Sequence, residues 1–420
     1  MDKLIIEGGV PLKGEVNISG AKNSVLPIMA ASLLTGERCK IHNVPNLKDV
    51  HTMIKILRSL GARAEFCNNS ILLEAKKIDS YTADYKLVST MRASFCVLGP
   101  LLGRLKKARV SYPGGCIIGV RPVDLHIKGL RSLGAEIDTQ AGYVVASAEK
   151  RFKGANIYLG GEFGSSVLAT GNVLMAAVLC KGKTIIESAA CEPEVVDLAN
   201  FLIKMGAKIK GHGTPVIEIE GVKYLKGAEH RIIPDRILTE TFMAAAAITN
   251  GCIRIKNADI GHHGAVIDRL RSEKIKIETS GQEILAKGSV EKSPVNITTL
   301  PYPGFPTDMQ AQFMSLMSVT PGISVIIEKI YPDRFMHIAE LNRMGARIIK
   351  EGSCAVIEGV KSLSGAQVMA SDLRASVALV LAGLVARGKT EISRIYHLDR
   401  GYETIEQKLE TLGARVWREK

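Results

Sequence analysis

Apolar positions along the chain alternate between helix spacing and strand spacing, and one short sequence closes helix after helix. Leu57-Arg58-Ser59-Leu60-Gly61-Ala62-Arg63 returns as Leu130-Arg131-Ser132-Leu133-Gly134-Ala135-Glu136 and as Leu202-Ile203-Lys204-Met205-Gly206-Ala207-Lys208. It returns again as Leu341-Asn342-Arg343-Met344-Gly345-Ala346-Arg347 and Leu409-Glu410-Thr411-Leu412-Gly413-Ala414-Arg415. Each reads as the end of a helix, a glycine stop and a charged, β-leaning strand. Leu270-Arg271-Ser272-Glu273-Lys274-Ile275 stands where a sixth copy is due. A second marker runs in step: an apolar helix ending at Gly36, Gly182, Gly251 or Gly388 and then a strand, with Gly103 and Gly322 at the two remaining places. The glycine is expected as a left-handed helix cap. The pattern predicts two helices per repeat, a period of about 70 residues and six repeats.

A unit of this kind has one apolar sheet face to cover with its helices. Three units about an approximate threefold axis would bury the helices and leave the sheets outside, so six units make two domains. Solenoid repeats are usually shorter, about 20 to 50 residues, which favours closed domains here. Repeat phase puts the boundary near Gly227–Ile233. The domains expected are 22–229, and 1–21 together with 230–420, with Leu4 to Val16 giving a strand to the C-terminal half. A reactive site is expected in the cleft between them.

Composition adds limits. The chain has 420 residues and a net charge of +13. Its basic residues are spread out; the densest run, Arg104-Leu105-Lys106-Lys107-Ala108-Arg109, carries no interleaved aromatics. This speaks for an anionic small substrate over a nucleic-acid groove. The eight cysteines form no C-x-x-C pair and have no histidines at zinc spacing, which fits a reducing, cytoplasmic setting. The longest apolar run, Ala375 to Ala386, is too short to span a bilayer and reads as a buried helix. The first residues lack a long apolar stretch, so no signal peptide is expected. No P-loop, dinucleotide fingerprint or metal cluster is visible.

The densest chemistry lies in Ser111-Tyr112-Pro113-Gly114-Gly115-Cys116-Ile117-Ile118-Gly119-Val120-Arg121-Pro122-Val123-Asp124-Leu125-His126. Its first half is a loop tip on which Cys116 is exposed, with Arg121 near enough along the chain to favour the thiolate. Its second half starts a helix with Pro122 at the first position and Val123, Ile127, Leu130 and Leu133 as the apolar stripe. Lys22 and Asn23 stand at a Gly turn before a helix, a good anion site. Asp49 and Arg92 read by themselves as surface charges. Pro301-Tyr302-Pro303-Gly304-Phe305-Pro306-Thr307-Asp308 leads rigidly into a helix, with Thr307 or Asp308 as cap and, more sharply, Asp308 as a positioned general base. Arg334, Arg374 and Arg400 each mark the start or end of an apolar run. With Lys22, Arg92 and Arg121 they suggest a small, multiply anionic substrate.

Four blocks in order give these residues a family. They are Pro113-Gly114-Gly115-Cys116 with Gly119 to His126, Phe305-Pro306-Thr307-Asp308-Met309-Gln310-Ala311-Gln312, Ser364 to Ala370, and Tyr396-His397 with Asp399 to Glu403. Together the chain resembles the enolpyruvyl transferases over nearly its whole length. The resemblance implies two inside-out α/β barrel domains, each of three βαβαββ-type units. It implies transfer of the enolpyruvyl group of phosphoenolpyruvate to the 3′-hydroxyl of UDP-N-acetylglucosamine, by addition and then loss of phosphate, without metal or organic cofactor. By this likeness Asp308 is the general base, and Cys116 is the loop thiol that donates a proton and is alkylated by fosfomycin. Lys22, Arg121 and Arg400, with Arg374 alongside, hold phosphate and carboxylate. Asn23 and Asp372 orient groups around the adduct. Arg92 and the segment Arg121, Pro122, Val123, Asp124 and Leu125 hold the nucleotide side, with Ser166, Val167 and Ile330 as further contacts; Arg334 joins the substrate-binding set.

The sister reaction on shikimate 3-phosphate is the nearest alternative, against which Cys116 and the Arg-Pro-Val-Asp-Leu run speak. A basic nucleic-acid-binding protein is the alternative from another class. The chain also departs from many relatives. They carry Ser-Val-Gly-Ala-Thr where this chain has Ser166-Val167-Leu168-Ala169-Thr170, often with lysine at Gly164. They carry Glu and Gly where it has Leu238 and Glu240.

Overall fold

In each repeat the two helices differ in how they meet the core. Helix Val167–Ala177 buries every residue from Ala169 onward, and Arg236–Ile248 and Gln310–Met317 are buried along their whole length. The expected apolar run forms helix Leu373–Val385, buried from Arg374 to Leu384. The second helix of each repeat is two-faced: Lys48–Ser59 buries Val50, Met53, Ile54, Ile56 and Leu57 and turns its lysines outward. Each fully buried Leu, Ile or Val contributes roughly 1.5–3 kcal/mol by leaving water. The predominantly apolar helices therefore sit inside.

The computed structural model describes residues 2–113 and 123–419. The chain divides into two compact units. Of the described residues, one unit comprises 20–113 with 123–233, the other 2–19 with 234–419. The described residues form six four-stranded sheets, three in each unit. One example serves for all. Thr82–Ala83 runs parallel to Lys107–Ser111, which pairs antiparallel with Tyr143–Ser147, which pairs antiparallel with Glu136–Gln140. The helices lie between these strands in sequence, giving the βαβαββ unit with helices inside and sheets outside. Strands such as Arg38–His42 alternate exposed and buried residues accordingly.

Two edge strands belong to a different unit from the helix that follows them in sequence. Lys13–Asn17 directly precedes helix Lys22–Ala31 in sequence, yet it pairs with Cys252–Lys256 of the C-terminal unit. Glu229–Arg231 directly precedes helix Arg236–Ile248, yet it pairs with Arg38–His42 of the N-terminal unit. Lys3–Glu7 fills the last place, between Lys389–Ser393 and Arg415–Glu419. Within one unit Ala21 N–H donates to Ile233 O at 2.8 Å; within the other Asp235 N–H donates to Ser19 O at 2.9 Å.

Five Gly-Ala glycines, Gly61, Gly134, Gly206, Gly345 and Gly413, take φ between +91° and +103°, where a side chain is strained. In the sixth repeat Lys274 takes that conformation at φ +68°. The second marker is less uniform. Gly182, Gly322 and Gly388 have positive φ, but helix Leu98–Leu105 runs past Gly103 and ends on Lys106 at φ +59°, and Asn250 (φ +53°) rather than Gly251 follows Arg236–Ile248.

Candidate functional site

In the C-terminal unit Asp308 lies in the single turn Thr307–Met309 that leads into helix Gln310–Met317. It does not cap that helix, as the sequence reading allowed; two guanidiniums take the carboxylate instead. Arg334 Nη2 donates to Oδ1 at 2.9 Å, and Arg374 Nη2 donates to Oδ2 at 3.3 Å. Both arginines are nearly buried, with 7% and 6% of their side chains exposed. Burial pushes the Asp308 carboxyl up, but the charges of Arg374 and then Arg334 outweigh it and hold the group well below the usual carboxylate range. Burial likewise works against Arg374, and Asp308 overrides it, so this guanidinium is firmly charged.

Asp372 caps helix Leu373–Val385: its Oδ1 accepts from the N–H groups of Arg374 (2.8 Å) and Ala375 (3.1 Å). The cap fixes the backbone from which Arg374 projects, so Asp372 acts on the arginine through the helix start. Burial raises the Asp372 carboxyl, but Arg334 and the capped N–H groups bring it below its ordinary value. Arg400 ends the turn Ile395–Arg400. His397 on that turn feels both Arg400 and Asp372. A methyl group added at Gly401 would come 2.7 Å from Leu373 Cδ2, so the turn packs tightly on the start of that helix. Ile330 presents its N–H to Glu328 Oε1 at 2.9 Å.

The N-terminal unit holds the other set. Lys22 begins helix Lys22–Ala31, and its Nζ lies 3.4 Å from Asp49 Oδ2. Asp49 is 3% exposed, not the surface charge expected, because Lys22 satisfies it. One residue beyond Asn23, the Ser24 hydroxyl bonds Asp197 Oδ2, which also accepts from Ile233 N–H at 3.3 Å; His230 Nε2 lies 2.8 Å from Oδ1. Asp197 thus holds the first turn of the helix bearing Lys22 and Asn23.

Arg92 opens the turn Arg92–Val97. The helix expected from Pro122 begins at Asp124, with Val123 buried before it, Asp124 exposed and Leu125 half-buried. Leu125 packs on Gly161, which exchanges two backbone hydrogen bonds with Gly164 (3.0 and 3.1 Å). Two residues on, Ser166 caps helix Val167–Ala177 by accepting from Ala169 N–H at 3.3 Å. Gly164 has φ +90°, a conformation that suits glycine better than the lysine of many relatives. Cys116, Arg121 and Pro122 lie outside the described residues.

Sequence reasoning missed Asn172. From the buried helix Val167–Ala177 its Nδ2 donates to Phe95 O at 3.0 Å and meets His126 Nδ1 at 2.8 Å, while its Oδ1 accepts from Gly99 N–H at 2.8 Å. One amide therefore ties together the Arg92 turn, the helix of Asp124 and Leu125, and the helix capped by Ser166. Burial, with Arg92 adding to it, pushes His126 down to about 3, so the imidazole is neutral and its Nδ1 accepts. Tyr402, part of the block Asp399 to Glu403 but given no role there, has a buried hydroxyl that receives Arg374 Nη1 at 3.0 Å and meets Thr241 Oγ1 at 3.2 Å. For Asn172 the one available signal was a polar residue inside an otherwise largely apolar helix.

Repeated βαβαββ units with buried helices make the fold, and the C-terminal unit holds an acid between two buried arginines. The profile of the EPSP synthase (3-phosphoshikimate 1-carboxyvinyltransferase) family matches residues 6–409, and the chain belongs to that family. It is 53% identical over 418 residues to the UDP-N-acetylglucosamine 1-carboxyvinyltransferase of Methylacidiphilum infernorum, covering 100% of this chain and 99% of the relative. It is 54% identical over 416 residues to UDP-N-acetylglucosamine 1-carboxyvinyltransferase 1 of Caldanaerobacter subterraneus subsp. tengcongensis, covering 99% of each. Among solved structures, the enolpyruvyl transferase NikO from Streptomyces tendae superposes with a TM-score of 0.90 at 24% identity, over 99% of this chain and 98% of that one. At that identity the likeness speaks for the fold. Among the described residues no helix is long and apolar enough to cross a membrane.

Proposed function

We propose that the chain transfers the enolpyruvyl group of phosphoenolpyruvate to the 3′-hydroxyl of UDP-N-acetylglucosamine and releases phosphate, the first committed step of peptidoglycan synthesis, in the cytoplasm. The observation that carries this reading is identity of 53–54% along essentially the full length of relatives bearing that activity's name. The Arg334–Asp308–Arg374 cluster supports it chemically. The sugar hydroxyl adds to C2 of phosphoenolpyruvate and its proton goes to Asp308; C3 is protonated by the Cys116 thiol. The tetrahedral adduct then loses a C3 proton and phosphate. Anionic charge is present throughout, and preorganised cations are the matching device. Lys22, Arg121, Arg374 and Arg400 are assigned to phosphate and carboxylate, with Asn23 and Asp372 orienting the adduct. Arg334, whose Nη2 bonds Asp308 directly, belongs to the base's own setting. Arg92, Pro122, Val123, Asp124, Leu125, Ser166, Val167 and Ile330 are assigned to the nucleotide sugar. Asn172 favours that grouping, because it binds three of their segments into one block. The reading assigns both sets of residues to one reaction.

The test is substrate dependence. Phosphate release from phosphoenolpyruvate should require UDP-N-acetylglucosamine and saturate with it. Release at the same rate without the nucleotide sugar, or no release with it, would refute the proposal.

A further inference from the structure

Glu328 has no role in the assignments above, yet its carboxylate accepts four hydrogen bonds. It follows strand Ile323–Ile327 directly and is fully buried. Its Oε1 accepts from Thr299 Oγ1 at 2.7 Å and from the N–H groups of Ile330 and Tyr331, both at 2.9 Å. Its Oε2 accepts from Thr307 Oγ1 at 2.9 Å. A buried carboxylate survives only when its lone pairs are met in this way. The donors come from three places: the end of strand Ile297–Thr298, the loop that begins at Ile330, and the turn that carries Asp308.

The link continues. Thr307 Oγ1, having donated its proton to Glu328, accepts from Arg334 Nη1 at 3.0 Å. The other end of that guanidinium, Nη2, meets Asp308 Oδ1 at 2.9 Å. The path Glu328–Thr307–Arg334–Asp308 is thus an unbroken run of hydrogen bonds from a strand end to the acid. Fixing one end of a planar guanidinium fixes the direction of the other.

We infer that Glu328 is a positioning residue for Asp308: through the Thr307 hydroxyl it sets the Arg334 guanidinium, and by the same carboxylate it holds the Ile330–Tyr331 backbone in register with the Asp308 turn. This rests on the proposed reaction only in giving Asp308 the role of base. Turning a strand end needs one acceptor for one or two N–H groups. The sideways reach to Thr307 serves no turn and leads only to Arg334.

The experiment is a mutant cycle with two independent readouts. Glu328→Gln and Thr307→Val should each lower kcat by about tenfold, and the double variant should fall no further, because both cut one path. Thr307→Ser should restore kcat. In Thr307→Val the acidic limb of the kcat/KM profile should move up by about one pH unit as Arg334 loosens from Asp308. Thr299→Val, which removes a Glu328 partner outside the path, should leave the limb in place. The Asp308 carboxyl should show the same upward shift by carbon NMR, a reading that needs no turnover. Multiplying losses in the double variant, or an unmoved limb and carboxyl resonance in Thr307→Val, would overturn the inference. Absence of phosphate release in the unaltered protein would overturn the proposed reaction instead, and the NMR titration would still decide the role of Glu328.

Discussion

Asp308 accepts a hydrogen bond on Oδ2 from Arg374 Nη2 at 3.3 Å, and the same guanidinium donates through Nη1 to the Tyr402 hydroxyl at 3.0 Å. The carboxylate is therefore neither a helix cap nor a surface charge. It is an acid kept ionised by a cation that is itself anchored in the core.

Changing Asp308 to Ala should cut turnover by about a hundredfold or more, the usual loss for a general base. The carboxyl lies well below its ordinary range in the folded chain. Its stabilising contribution is therefore present above the unfolded value and disappears as pH falls through the folded one. Near-normal turnover of Asp308→Ala would remove the residue from its role.

Glu273 should make stability fall as pH rises. It occupies the place that Leu60, Leu133, Met205, Met344 and Leu412 fill in the other repeats, and it is fully buried with Thr320 Oγ1 donating to it at 2.6 Å. Burial pushes its carboxyl up to about 7. The folded state then holds a proton that the unfolded state releases near its ordinary value. Stability should decline from roughly pH 4.5 to 7, by about 3 kcal/mol across that window. Glu273→Leu should flatten this slope and raise stability at pH 8 in urea unfolding. An unchanged slope would show that the carboxyl does not titrate there.

Glu240, one of the departures from the relatives, is paired. His263 Nδ1 lies 3.1 Å from its Oε1, and both side chains are 1% exposed. Removing either partner leaves a buried polar group alone, so Glu240→Ala and His263→Leu should each destabilise by about 3 kcal/mol. The double variant should cost clearly less than the sum, as thermal or urea unfolding would read. Additive losses would mean that the two groups do not depend on each other.

Cys116→Asp should retain part of the activity and lose time-dependent inactivation by fosfomycin. This prediction rests on the family resemblance of the block from Pro113 to His126. Continued inactivation of the variant, followed by mass spectrometry, would remove Cys116 from its role.

Much of the architecture was legible because a recurring helix end is written in a few residues. Leu-x-x-Leu-Gly-Ala marks a core contact, a left-handed glycine and a strand start at once, and these are local demands. The pairing of Lys13–Asn17 and Glu229–Arg231 was not legible in full. An edge strand of a few residues carries no label for its partner, and only chain phase hinted at where Leu4 to Val16 goes. In the site the charged residues were legible, since arginines and acids at helix starts stand out. Their holders were not. Asn172, Asp197, Thr307 and Glu328 look like ordinary polar residues in helices, turns and strand ends, and their importance lies in contacts across the sequence: Asn172 reaches Phe95, and Asp197 reaches Ser24. Asp49 was misjudged for the same reason, its partner Lys22 lying 27 residues away.

The most direct test of the account is the choice of acceptor. The protein would be given phosphoenolpyruvate with UDP-N-acetylglucosamine, and separately with shikimate 3-phosphate, and the products weighed by mass spectrometry. The account predicts an enolpyruvyl mass gain on the nucleotide sugar alone, with one phosphate released per product. An enolpyruvyl adduct of shikimate 3-phosphate, with the nucleotide sugar unchanged, would contradict it.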